Sequence, residues 1–446
     1  MGAQFKSFAL FAAVAAIPIA WAEAKVAQAP RPAPVPPAAQ SARPAPVPQA
    51  RPSPQTAAPD TLAPAPEQPA LPPPPPPFWT LGDVQQLLAY INSIGREGLD
   101  PADYDPHGLI AAMRSGDPMK LSAAATERFN KVSTDLALGY VRKEHRDGWL
   151  IVDKDLDAQR QDTLLRSALA QHRIIDALNG LLPTHPQYRN LKDALAATAK
   201  TDTAQVNRLR LNMERWRWLP RDLGEKYIIV NVPAYYVALV ENGTTMWRDK
   251  AVAGAIKTPT PMLSATATGV ILNPWWEVPK SIEPEVRGKA GFVAVRGKDG
   301  KVQRWRQPPG PSNALGQLKF VMPNNEAIYL HDTNARSRFN DRIRSLSHGC
   351  IRTNHVVDLA KTIFPDEGNP EWTAAKIDET LASKKTVEAK FAQPFPVYIV
   401  YFSSAAATDG KIINYTDVYK RDAKVLAALN DALPAKASAE KKVASR

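Results

Sequence analysis

Cysteine is almost missing from this chain: 446 residues hold one, Cys350. A single thiol closes no internal disulfide. Left over in an exported protein, it points to intermolecular pairing or a free reactive group; the plain alternative is a small buried hydrophobe. Long apolar runs are also scarce. The one candidate, SFALFAAVAAIPIA at residues 7–20, is 14 residues long, against roughly 20 for a comfortable membrane span. It follows Lys6, ends at Ala20 and precedes Ala22 and Ala24, the pattern of a secretory signal over residues 1–24. Membrane contact is therefore expected only through this N-terminal segment, if it stays uncleaved. No cysteine lies beside it, which excludes lipid attachment through an N-terminal thiol. Acidic residues are outnumbered, 44 Asp and Glu against 56 Lys and Arg, for a net charge of +12. That balance suits an anionic polymer or surface, and export argues against nucleic acid. Part of the excess sits in a basic C-terminal tail, residues 426–446.

Proline, by contrast, is abundant and clustered. Residues 29–77 hold 20 of the 42 prolines and end in six consecutive ones. Lacking an amide hydrogen and fixed in φ, proline joins neither a helix interior nor a sheet ladder. Residues 25–77 therefore read as an extended, semi-rigid linker. From residue 78 to 220 the pattern turns helical. Val84, Leu87, Leu88, Ile91 and Ile94 fall at helical spacing, with Gly95 as the expected stop. Val206, Leu209, Met213 and Trp216 make one apolar stripe, with arginines assigned to the other faces. His107, His145, His172 and His185 share no spacing and read as surface or capping residues.

Near Tyr227 the period changes to that of strands, with Asn242-Gly243 as a hairpin signal. Residues 221–425 are expected to form a mainly β domain with one or two helices, so the fold class is α+β. Residues 282–315 read as an irregular, basic, Gly/Pro-rich insert, a lid or binding element.

The stretch SLSHGCIRTNH surrounds the cysteine. A thiol attacks as the thiolate, so it needs a base or a cation nearby. His331, Arg344, His348, Arg352 and His355 are candidates. His331 ends a predicted strand, and Cys350 sits on a loop before a helix, a workable dyad. Gly349 frees the backbone so that the Gly349 and Cys350 amides can converge on an oxyanion. A zinc site from His331, His348, Cys350 and His355 competes, although His-Gly-Cys matches no common ligand spacing. A catalytically silent binding module would need no thiol at all.

YLHDT at residues 329–333 followed by SHGCIR at 347–352 resembles the signature of L,D-transpeptidases with a YkuD-like catalytic domain. NMERWRWLP, VNVPAYY, NPWWEVP and PPGPSNALGQLKFVMPN resemble large periplasmic members with a helical scaffold domain, here without an inserted peptidoglycan-binding module. The resemblance implies a scaffold followed by a transpeptidase β-sandwich. It implies Cys350 as nucleophile and His331 as base, with Ser347, His348 and Gly349 shaping the loop and oxyanion site. Arg352, Tyr329 and Trp276 would line the substrate. No metal or other cofactor is implied. The implied reaction joins peptidoglycan stem peptides by 3–3 cross-links through a cysteine thioester, releasing D-Ala, in the periplasm. Other cell-wall synthesis proteins are conceivable partners. Trimming by an L,D-carboxypeptidase, or attachment of a lysine-bearing wall protein, would use the same dyad. From another class, a non-catalytic wall-binding protein would tolerate Cys350→Ala.

Overall fold

In the computed structural model, residues 75–366, 369–407 and 409–431 are described; the signal and nearly all of the linker lie outside them, as does the tail from 432. Helix α1 (Leu81–Ser93) shows how the local sequence sets an element. Thr80 accepts from the Asp83 amide while Asp83 accepts from the Thr80 amide, a reciprocal cap. Val84, Leu87 and Ile91 are fully buried on one face. The expected stop at Gly95 moves. A 3₁₀ turn, Ile94–Glu97, follows the helix, and the left-handed residue is Gly98 at φ 76°. Gly95 lies inside that turn, where no positive φ is needed.

The remaining scaffold helices are α2 (Pro106–Arg114), α3 (Pro118–Leu138), α4 (Ala158–Gln171), α5 (Ile174–Asn179), α6 (Pro186–Ala197) and α7 (Thr203–Trp216). Between α6 and α7 lie only residues 198–202, so no further module is inserted there. His185 and His172 cap helices, as expected, and His107 and His145 are exposed. The arginines of the α7 region do not all face solvent: Arg215 and Arg217 are 2% and 1% exposed. Arg217 donates to Glu214 at 2.9 Å, to the Tyr188 hydroxyl at 2.9 Å, and to the Glu97 carbonyl. Glu214 also accepts from the Val141 amide and the Trp218 indole. Helical periodicity alone puts every charge outside; a pair held by several hydrogen bonds can stay inside.

The second half is mainly β. Strands β1 (Lys226–Asn231), β2 (Tyr236–Glu241), β3 (Thr244–Gly254) and β4 (Leu263–Leu272) come first, and Asn242 and Gly243 take the positive φ values of the expected hairpin. Then come β5 (Trp276–Glu277), α8 (Glu283–Val286), β6 (Val293–Arg296), β7 (Val302–Gln307), β8 (Leu318–Val321), β9 (Leu330–His331), β10 (Ser345–Ser347) and β11 (Ile351–Thr353). Helices α9 (Val356–Asp366) and α10 (Ala374–Ser383) lead to β12 (Val387–Val400), β13 (Ser404–Ala406), β14 (Ile412–Asn414) and α11 (Asp422–Asn430). The main ladder runs β10-β3-β11-β9-β8-β4-β12-β1-β2, and β2 also pairs β3, so the pairing closes on itself.

Two expectations change. The insert at 282–315 is not irregular: β5, β7 and β6 form a separate sheet, over a small core of Val278, Ile282 and Val286 with Trp276, Phe292 and Trp305. Scattered valines and one tryptophan between glycines gave a weak strand signal that pairing made good. The fold also continues past 425, because α11 buries Leu429 and Arg215 meets Asp422 at 2.7 Å. The scaffold packs on the β domain through Trp216, stacked on Phe402 at 4.7 Å, and through Gln187, which bonds both polar groups of Ala406.

Because Arg217 and Glu214 are buried together, removing one partner strands the other charge. Arg217→Ala is expected to lower unfolding stability by about 3–5 kcal/mol, measured by urea titration; a loss below about 1 kcal/mol would mean the pair is not structurally needed.

Candidate active site

The candidate base and nucleophile lie at neighbouring strands, His331 in β9 and Cys350 just before β11. β9 and β11 pair in parallel, Ile351 opposite Leu330 and Arg352 opposite His331. This register sets Cys350, one residue before β11, beside the Tyr329–His331 segment. On a strand alternate residues share a face, and the Tyr329 and His331 rings meet edge-on at 5.6 Å. Cys350 is half-buried.

The loop carrying the thiol is fixed by its own side chains. Ser347 Oγ donates to the Cys350 carbonyl at 2.6 Å and accepts from the Gly349 amide at 3.1 Å. Thr260 Oγ1 donates to the Gly349 carbonyl at 2.7 Å. Gly349 sits at φ 122°, where a side chain is strained, and a Cβ there would lie 3.2 Å from Ile328. These contacts alter the expected oxyanion site. The Gly349 amide is taken up by Ser347, so it does not converge with the Cys350 amide. The Cys350 amide makes no hydrogen bond among the described residues.

His331 is buried. Its Nδ1 lies 2.5 Å from the Asp332 carbonyl oxygen. A carbonyl only accepts, so Nδ1 carries the proton and Nε2 is left with its lone pair. Burial, and then the nearby Arg352 charge, hold the imidazole down to about 3, against the pull of that carbonyl. The thiol is pushed up by burial; the Tyr329 amide and hydroxyl, Lys319 and Arg352 pull the other way. At neutral pH the pair therefore rests as thiol and neutral imidazole, not as an ion pair.

Tyr329 and Trp276 join the site more closely than their sequence suggested. The Tyr329 hydroxyl interacts with the thiol, and the Trp276 side chain with Tyr329. Arg352 is half-buried, near the thiol and Arg338, and makes no ion pair among the described residues. His348 points elsewhere: its Nε2 lies 3.2 Å from Glu285 of α8, so it links the thiol loop to the insert. His355 pairs with Asp249 at 2.6 Å, is 59% exposed and takes a left-handed φ of 45°. Arg344 is structural, donating to the carbonyls of Ala251, Asp341 and Tyr235. The four proposed zinc ligands thus diverge, and among the described residues no three His, Cys, Asp or Glu are grouped to hold a metal.

Three contributors went unread in the sequence. Lys319 pairs in register with His331 and lies over the Tyr329 ring at 5.1 Å. Thr260 pins Gly349. Asp332 fixes the base: beyond its carbonyl, its carboxylate accepts from the Gln317 amide at 2.9 Å and from Arg336 at 2.7 Å. Only the lone lysine in the strand LKFV and the acid directly after His331 offered any signal.

Two outcomes follow from these protonation states. Alkylation of Cys350 by iodoacetamide should titrate above the ~8.5 of a free cysteine; a midpoint below 7 would show a preformed thiolate. The folded His331 titrates below its unfolded value, so its folded state binds fewer protons between those values. Wild-type stability relative to His331→Asn should therefore be highest above pH ~6.5 and fall as pH drops from there toward 3. Parallel urea titrations check the sign.

Comparison with known proteins agrees with this geometry. Residues 225–370 match the L,D-transpeptidase catalytic domain (YkuD), and residues 75–195 match the Scaffold domain. A Haemophilus influenzae protein named "Putative L,D-transpeptidase" is 27% identical over 340 residues, covering 68% of each chain. Among solved structures, an L,D-transpeptidase from Mycobacterium smegmatis is 15% identical with a TM-score of 0.22, over 40% of this chain and 58% of that one. L,D-transpeptidase 1 of Mycobacterium tuberculosis is 12% identical with a TM-score of 0.19, over 40% and 61%. The chain thus spans less than two thirds of either solved protein. With residues 75–195 matching a Scaffold domain and the paired His331 and Cys350 segments lying within residues 225–370, the chain carries an L,D-transpeptidase (YkuD) catalytic domain, mainly β, behind a helical scaffold.

Proposed function

We propose that the protein is an exported, periplasmic L,D-transpeptidase that forms 3–3 cross-links between peptidoglycan stem peptides. The observation that carries this reading is the tautomer of His331: with Nδ1–H held by the Asp332 carbonyl, Nε2 keeps the lone pair that a general base needs. Cys350 Sγ attacks the carbonyl carbon of the third stem residue as its proton passes to Nε2. The peptide C–N bond breaks, the proton goes to the departing D-Ala amine, and a thioester remains. The side-chain amine of a second stem then attacks, losing a proton to Nε2. The C–S bond breaks and the sulfur regains the proton, so the cycle closes without a cofactor. The Cys350 amide, without a hydrogen-bond partner among the described residues, stabilises the oxyanion at each step. Arg352, without an ion-pair partner among the described residues, takes a stem carboxylate, and Tyr329 with Trp276 forms the wall beside the thiol.

The insert supports a covering role. It contacts the thiol loop through Glu285 and His348, and Trp276, at its root, reaches Tyr329. Covering the thioester would keep water from competing with the amine.

Incubation of the protein with disaccharide-tetrapeptide, followed by mass spectrometry, tests the reading. Loss of D-Ala with an adduct on Cys350, then a cross-linked dimer, is the expected course; Cys350→Ala should show none of it. Tripeptide alone would assign a carboxypeptidase, and turnover surviving Cys350→Ala would refute the thioester. Replacing residues 287–305 by a short Gly-Ser link should raise tripeptide relative to dimer. An unchanged ratio would remove the insert from the reaction.

A further inference from the structure

Register places Lys319, His331 and Arg352 in one row. Lys319 of β8 lies opposite His331 of β9, and His331 lies opposite Arg352 of β11. Residues opposite one another across a ladder share a face. Ile271 of β4, opposite Lys319, extends the row. The alternating residues Phe320, Leu330 and Ile351 are fully buried or nearly so, so the row lies on the face turned away from that core. The base therefore stands between two cations.

Of these two, Lys319 lines a cavity of about 220 Å³ that Arg352 does not reach. Ile271, Val321, Met322 and Ile328 give this cavity apolar walls, and Lys319 is the one charged group among its described lining residues. The cavity adjoins the thiol. Cys350 Sγ lies 3.7 Å from the carbonyl oxygen of Ala327, which is also in the lining, and Tyr329, whose ring lies under the ammonium at 5.1 Å, interacts with the thiol through its hydroxyl. Lys319 is half-buried and makes no ion pair among the described residues. Glu277 is taken by Arg304 at 3.0 Å, and Glu388 acts on the ammonium only at longer range. A half-buried cation without a counterion, in a small apolar cavity, suits a short apolar group that carries an anion.

We propose that Lys319 is a specificity-determining residue for the departing alanine, its ammonium holding the terminal carboxylate while the methyl group enters the apolar cavity. This rests on the cross-linking reading above and adds the place where the leaving residue is recognised. In that residue the carboxylate is one carbon away from the nitrogen of the bond to be broken, so a cation beside the thiol can hold it with the scissile carbonyl at Sγ. The arrangement also ties binding to proton transfer. Lys319 is one of the charges that oppose an imidazolium at His331, and a bound carboxylate offsets it just as the thiol proton moves to Nε2.

Two donors test this on the full chain: disaccharide-tetrapeptide with its free terminal carboxylate, and the same compound ending in a primary amide. Release of alanine or alaninamide gives kcat/KM for each. The acid should be favoured by at least about ten-fold. Lys319→Met should bring that ratio close to one, Lys319→Arg should keep most of it, and Arg352→Gln should slow both donors without erasing it. A lysine with only a structural role would change both rates and not their ratio. The comparison on the parent protein needs no variant, so it stands even if Lys319→Met does not fold. Equal rates on the parent, a ratio that survives Lys319→Met, or a ratio erased by Arg352→Gln would overturn the assignment alone. Release of neither product, with Cys350 still alkylated by iodoacetamide, would overturn the cross-linking reading and the assignment together.

Discussion

The parallel pairing of β9 with β11 is the constraint on which the site depends. It joins two very short strands, and a parallel pair needs a long connection to bring its ends together. Here residues 332–350 make that connection, and they are tied down at several points. Asp332 is clamped to Gln317 and Arg336, Arg344 gathers three carbonyls, and β10 returns to the edge of β3. The dyad is therefore set by a ladder register, which is stiffer than a pair of facing loops.

A second requirement is that the base remain neutral. His331 is 5% exposed, with Arg352 and Lys319 nearby, and both effects oppose an imidazolium. The same surroundings leave the thiol protonated. Such a site avoids a standing thiolate, which is prone to oxidation, and it generates charge only as an electrophile arrives. The cations that depress His331 are also the groups suited to a substrate carboxylate, so binding an anion would ease the protonation of the imidazole during attack. Electrostatics and recognition are thus served by the same side chains.

The scaffold is more than a spacer. Trp216, Phe402 and Gln187 join it to the β domain, and α11 returns from the far end of the chain to close on Arg215. The buried Arg217–Glu214 pair locks the end of α7, from which the chain enters β1. Strand β3 leads from Arg248, near the scaffold, to the thiol loop, at Gly254, where it meets Ser347.

Much of this was legible in the sequence because its signals are local. A period of 3.6 or 2, the Asn242-Gly243 turn, and a histidine and cysteine in a short motif each depend only on neighbouring residues. They determined a helical half, a mainly β half, and the histidine and cysteine put forward as base and nucleophile. What the tertiary structure alone decided were matters of partner choice. The Gly349 amide went to Ser347, His348 to Glu285 and His355 to Asp249, and no spacing records which acceptor wins when several lie within reach. Arg215 and Arg217 went inside because Asp422, Glu214, Tyr188 and a carbonyl of residue 97 converge on them from distant positions. The insert became a sheet because Trp276 and Glu277 lend it a third strand from outside its own span. Pairings across tens of residues are fixed by packing and register, and these exist only once the chain has folded.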